Sequence, residues 1–544
     1  MSKRDLSFRQ RTRAGAGGVL DVRVGGVGEL TVGRPRLAAL LTLVGIGLFS
    51  ASALAEEPRK VTEPNVLSEP SEITNVVDAF DGDDQFDLSL TLGYQQTWKS
   101  AKIRRETFID QSGLAGGGYT ATGLNVAEYS ESTARLNTKA EIGIFKDLAL
   151  IIRLPIILSN DRELKSLEGS DKQAAIAAQG EPGEQLFTIP FKSPTRSGIE
   201  YLAVGLDFGI MNQFRDATKP TWVFGFEGRF NVSEPMHACN ESTSGLNLPG
   251  TKQVKCAQPN DIDRDGTAGE DEYVDDLPST GPVQLDGTKS GTRQAGVSRG
   301  TTALEVHTYL SKRIKYIEPY GGFKALFEFQ NESSDYGQTD LKGSLVNHPP
   351  LRGTIVMGLN VIPWEVRDQF QRVALDFRFS GTYVSEGRDY SELFDALGSS
   401  DAPSLRYPNF AEYQAGPDGV PSTVNPASQK VYFTGLTDVQ QHGEYRLSAD
   451  FVWQAGEYVK FNVGGAYTIV QSHLISFDQP CNPDFSDDPA KAGPCRRSGS
   501  PGSAPVATGI PNPNYRAPIN VPGRRFKVDG SDAFEAWLNA TVMF

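Results

Sequence analysis

The feature that most limits what this chain can become is a two-residue alternation of apolar and polar side chains that recurs from Phe86 to the last residue. Successive side chains of a strand point to opposite faces, so strict alternation describes a strand with one apolar and one polar face. Phe86, Leu88, Leu90, Leu92 and Tyr94 alternate with Asp87, Ser89, Thr91, Gly93 and Gln95. The same pattern returns over 135–144, 148–158, 202–210, 222–230, 304–310, 323–329, 355–361, 372–383, 445–453, 459–469 and 534–544. The spacing predicts about twelve strands of about ten residues, the length a tilted strand needs to cross a hydrocarbon layer.

The connections alternate in length. Short turns lie at Lys146-Asp147, Arg215-Asp216, Lys312-Arg313, Trp364-Glu365 and Gly456-Glu457, and long connections cover 99–130, 160–197, 233–300, 331–350, 385–441 and 471–530. Trp222, Trp364 and Trp453 all fall at the short-turn end, where an interfacial aromatic girdle belongs. On these features the chain resembles bacterial outer-membrane β-barrel proteins as a class, porin- or channel-like. The closing segment 534–544, ending in Phe544, looks like the signal such proteins present to the outer-membrane assembly machinery. The resemblance implies an all-β fold: a closed antiparallel transmembrane β-barrel with short periplasmic turns and long extracellular loops, whose partners are the lipid bilayer and that machinery. Physics agrees, because in lipid every backbone N–H and C=O must be paired, which a closed sheet achieves and an open one does not. The alternative is a secreted β-sandwich or adhesin array, whose loops would not alternate so regularly.

Composition narrows the rest. With 38% hydrophobic and 22% charged residues among 544, the chain is too polar for a bundle of membrane helices, and only one apolar run of that kind exists. It covers 37–54, follows Arg34 and Arg36, and ends in Ala53-Leu54-Ala55 before Glu56-Glu57. This describes a secretory signal peptide cleaved after Ala55, with residues 1–33 a poor leader. Residues 56–84, rich in Pro, Glu and Asp, read as a flexible periplasmic lead-in too short to be a folded plug, and 85–544 as the barrel. The net charge of −14 argues against nucleic acid as a partner.

The sharpest local motif is Asp261-Ile262-Asp263-Arg264-Asp265-Gly266-Thr267, closed by Glu272, in the third long loop. Alternate carboxylates at Asp261, Asp263 and Asp265 converge on one hard cation, the Thr267 carbonyl adds an oxygen and Glu272 closes bidentately, so the pattern points to calcium (Ca2+) that orders the loop. The bland reading is a solvated acidic loop. Cys239 with Cys256, and Cys481 with Cys495, make two local pairs, each inside one loop and suited to disulfides in an oxidising compartment; zinc is the weaker rival.

The polar face carries both signs: Arg135, Lys139, Glu141, Arg153, Glu227, Arg229, Glu305, Lys324, Glu328, Arg372, Asp376, Arg378, Arg446, Asp450 and Lys460. Such a lining suits an aqueous channel, and equally a narrow barrel filled by its own ion pairs. The five histidines, of which His307 is placed inward between Glu305 and Tyr309, form no recognisable catalytic pattern. The expected function is a passive channel or facilitator for small solutes. The competing expectation is a surface anchor whose stapled, calcium-ordered loops bind another surface or an envelope protein.

Overall fold

The computed structural model describes residues 71–80, 86–109, 120–168, 185–240, 255–256, 295–331, 334–337, 348–400, 434–476, 495–496, 510–511 and 525–544. The expected leader and signal peptide (1–55), the calcium-loop residues 261–272 and the Cys481–Cys495 pairing lie outside the described residues.

Twelve antiparallel strands close into a barrel. They are β1 (Leu88–Ile109), β2 (Thr120–Phe145), β3 (Leu148–Arg153 continued by Ile156–Ser166), β4 (Arg196–Ile199 continued by Leu202–Met211), β5 (Thr221–Phe230) and β6 (Thr301–Ser311). β7 (Ile317–Gln330), β8 (Arg352–Val366), β9 (Gln371–Val384), β10 (His442–Gln454), β11 (Val459–Val470) and β12 (Phe526–Met543) complete the ring. Each strand pairs with its sequence neighbour, and β1 pairs with β12 from Ser89↔Met543 to Arg105↔Phe526. The closing ends exchange backbone bonds, Leu88 N–H to the Phe544 carbonyl at 3.1 Å and the reverse at 2.9 Å. No sheet edge is left in the ring, which is what lipid demands.

The apolar alternate residues, among them Leu92, Phe224, Phe323, Met357, Phe377, Leu447 and Leu538, are exposed on the outer face. In water that belt would be an aggregation surface; in a bilayer it is the required solvent contact. Trp222, Trp364 and Trp453 are exposed on it at the short-turn end, and Trp98 stacks on Phe534 nearer the other end, ring centroids 5.8 Å apart.

The strands run further than their alternation suggested. β1 has 22 residues and β2 has 26, more than a span needs. Beyond the bilayer the outer surroundings turn to water and the inner ones to packed loops, so the faces exchange character. On β1, Ala101 and Ile103 point inward and are buried, while Lys102 and Arg104 point outward. The expected long connection 99–130 is therefore mostly strand, and 160–197 and 471–530 likewise begin and end in strand. β12 adds a bulge: the β1 pairing shifts between Ser100 and Lys102, opposite Gly530 at φ +55°. The extra residue turns Val528 and Phe526 inward, reversing the parity set by Leu538 and Phe534.

Above this level a cap lies across the outer end. Gly387–Asp389 pairs with Thr437–Val439, which pairs with His473–Ser476, which pairs with β12. A five-residue helix α1 (Phe394–Gly398) is wholly buried. Leu186, Phe187, Phe191, Leu393 and Leu397 from the connections pack on Ile103, Tyr129, Leu164, Phe526 and Val528 of the wall. A second cluster of Met236, Ala238, Tyr336, Phe394 and Leu436 reaches the other side. A disulfide joins Cys239 to Cys256, within the loop that contains both.

Residues 71–80 of the lead-in are among the described residues. Residues 71–80 cross the short-turn mouth as a strap. The Ser71 N–H donates to both carboxylate oxygens of Glu318 at 3.0 Å, and the Thr74 hydroxyl meets that of Ser311 at 2.9 Å. Lys460 pairs with Glu72 at 3.2 Å, Ala79 and Lys146 exchange backbone bonds, and Arg215 reaches Asp78 at 3.2 Å. These seats fall on the β6–β7, β10–β11 and β2–β3 ends, spread around the ring.

Candidate functional site

Between strap and cap, the lumen concentrates charge away from bulk water. Its wall is the inward set of alternate residues, and both signs alternate along it. Arg135 lies 3.1 Å from Glu200, Lys139 2.5 Å from Glu141, and Arg153 3.3 Å from Glu227. Arg229 joins Glu227 at 3.0 Å to Glu305 at 2.6 Å, Arg378 pairs with Asp376 at 2.8 Å, and Arg446 with Glu535 at 2.8 Å. Lys324 sits opposite His307 in the β6–β7 register, Glu328 binds Arg299 at 2.8 Å towards the cap, and Arg372 is buried at the short-turn end of β9. Asp450 accepts from the Trp537 indole at 2.7 Å, and Lys460 holds the strap through Glu72. Pairing is what partial desolvation requires, since a lone charge here would cost several kcal/mol.

Three rings on this polar face went unremarked in the alternation, although their parity makes them inward. Tyr320 donates to Asp376 at 2.6 Å and carries the Arg378 guanidinium 5.6 Å above its ring. Trp537 lies under Arg446 at 5.3 Å, and Tyr201 under Arg229 at 5.1 Å. Tyr320 lies flat on its neighbour strand because Gly358 has no side chain; a Cβ there would be 2.2 Å from the ring. Each guanidinium is thus held on one side by an aromatic face and on another by a carboxylate.

His307 is inward as expected, its Nε2 3.0 Å from Asp207 and its ring stacked on Tyr309. Its other ring nitrogen, Nδ1, lies 3.9 Å from Glu305, and no hydroxyl or thiol is hydrogen-bonded to the ring among the described residues.

The cap is fixed by buried ion pairs that sequence patterns did not flag. Asp395 accepts from Arg196 at 2.5 and 3.1 Å, from the Ser193 hydroxyl at 2.8 Å and from the Cys239 N–H at 3.1 Å. Asp389 binds Arg299 at 2.8 Å and Arg352 at 3.3 Å; burial pushes its carboxyl up, but Arg299 and then Arg352 outweigh it and hold it below the ordinary value. His442 and His473 stack with centroids 4.0 Å apart, each Nδ1 at 2.9 Å from a backbone carbonyl.

Burial, and then the neighbouring His442, lower the His473 pKa, against the opposing pull of Glu392. A depressed folded value means stability that is complete above the unfolded value and lost as pH falls through the folded one. The cap segment 471–476 should therefore show lower amide-exchange protection factors, each rate referred to the intrinsic rate at its own pH, at about pH 5.5 than at about pH 7.5, with His473→Gln flattening the difference. Equal protection factors at both pH values would contradict this.

No family model matches the sequence, and no curated protein does. Among solved structures, an outer membrane channel from Pseudomonas putida F1 is similar at 8% identity over 88% of this chain and 99% of that one, TM-score 0.29. The outer membrane protease OmpT from Escherichia coli gives 7%, 84%, 96% and 0.23, and a Pseudomonas aeruginosa FadL homologue 9%, 84%, 90% and 0.30. Identities this low leave the architecture to rest on the chain's own register and outer belt. By those, the protein is a closed transmembrane-type β-barrel with a lipid-facing apolar belt.

Proposed function

We propose that the protein is an outer-membrane channel for small polar solutes. The observation that carries the reading is solvent access within a wall that has no lateral opening. Arg135, Arg153, Arg378 and Arg446 stay partly exposed although they face inward, as side chains do around a water-holding hollow and not in a packed interior. Twelve strands also leave more room than the eight whose side chains fill the interior. Strap and cap then act as the two places where passage is controlled. Purified protein in planar bilayers should give stepwise conductance; bilayers that stay silent over the full voltage range would overturn the reading.

The cap favours a second reading. Its apolar core spans the outer end, as expected of an anchor that displays loops and conducts nothing. Silent bilayers would support that alternative.

A further inference from the structure

We infer that the lumen selects anions, so that the solutes passed are small carboxylates or inorganic anions, even though the whole chain carries a net charge of −14. The inference rests on the channel reading and names its substrate class.

Counting lumen charges does not decide the sign, because acids and bases nearly balance. Their depth does. In the mid-lumen pairs the cation is the more exposed partner: Arg153 at 35% over Glu227 at 4%, and Arg446 at 31% over Glu535 at 17%. Lys139 at 31% covers Glu141 at 16%, and Arg378 at 27% covers Asp376 at 10%. Arg135 over Glu200 and Arg229 over Glu305 follow the same order. The physical cause is reach. Short carboxylates stay against the wall, while long basic side chains lie over them and present their charged heads to the water-filled axis. The aromatic faces beneath Arg378, Arg446 and Arg229 keep the guanidinium groups from folding back.

An ion on the axis therefore meets an inner layer of positive charge with the compensating acids farther away. Low-dielectric walls focus such a field, and rings of basic side chains are a known way of building anion pores. The strap supplies a second observation. In contrast to these pairs, the carboxylate of Glu72 is more exposed than its cation, 42% against 12% for Lys460, and it comes from outside the wall. Besides Lys460, Lys139 and Arg378 act favourably on it. The lumen already holds one carboxylate as a ligand.

Two measurements on the full-length protein test this. In bilayers under a KCl gradient, the reversal potential should show chloride preferred over potassium by at least about threefold. The double variant Lys139→Gln/Arg446→Gln should lose most of that preference, and Arg446→Lys should keep it. A conducting pore with zero or cation-selective reversal potential overturns the inference while leaving the channel standing. The second measurement needs no conduction. Of the 5 tryptophans, Trp537 faces the lumen, so the ratio of iodide to caesium quenching of its fluorescence should exceed that of free N-acetyltryptophanamide several-fold, an excess that Trp537→Phe removes. A ratio no higher than that of the free indole refutes an anion-selective lumen; silent bilayers with iodide quenching in excess of that ratio refute only the channel.

Discussion

Replacing Asp395 with Ala should release the outer cap while leaving the barrel folded. The carboxylate is the common acceptor for Arg196, the Ser193 hydroxyl and the Cys239 amide, with Arg162 3.9 Å away. Arg196 and Asp395 are nearly inaccessible, 1% and 6% exposed, so solvent does not screen the pair. Removing one partner strands a buried guanidinium, which costs roughly 3–5 kcal/mol. That exceeds what a five-residue helix and a few connections can hold locally, whereas the ring is closed by backbone bonds throughout. The expected result is rapid protease cleavage within 185–197 and 391–399, with the heat-modifiable mobility of the folded barrel unchanged. Asp395→Asn, which keeps the shape and two acceptor sites, should lose less. Digestion indistinguishable from wild type would show that the cap does not depend on this pair.

The second large effect is expected at the opposite mouth. Gly143 lies beneath the strap, and a Cβ there would fall 1.7 Å from the Asp78 carbonyl oxygen. Because the obstruction is backbone, no rotamer change relieves it, and Gly143→Val must push residues 78–80 out of their seat. Overpacking of this kind costs about 1–3 kcal/mol, a shift of about 5- to 150-fold towards the unseated strap. Cleavage within 71–80 and the open fraction in bilayers should rise together by that order. Glu72→Gln, which weakens one anchor only, should move both in the same direction by less. If the strap stayed protected in Gly143→Val, the seat described here would be wrong. If it came free with conductance unaltered, the strap would not control passage.

Much of the barrel was legible because one physical rule, alternate exposure to lipid and to the interior, acts on every residue of a span. It places Leu92 outward and Gln95 inward without reference to any partner. The rule fails where its cause stops. Past Ser100 the two environments exchange polarity, so Ala101 and Ile103 continue a strand whose pattern reads as broken, and at Gly530 a single extra residue reverses the parity. The lumen charges were readable as a set, but not their depth, because reach into the axis depends on the ring beneath each guanidinium. Tyr320 under Arg378 is set by strand register, not by sequence proximity. The strap was not legible at all. Residues 71–80 have no period of their own, and their order comes from Glu318, Ser311, Lys460 and Lys146, far away in sequence.

The seam between β1 and β12 sets a condition on biogenesis. It brings the Thr91 hydroxyl to the Thr541 hydroxyl at 2.9 Å across a separation of 450 residues. Until the final strand arrives, both lateral rims of the growing sheet stay open to foreign strands, and every intermediate is a template for mispairing. Delivery to the membrane must therefore handle the polypeptide as a finished length, and truncation within the last hairpin should yield aggregate, not a smaller pore.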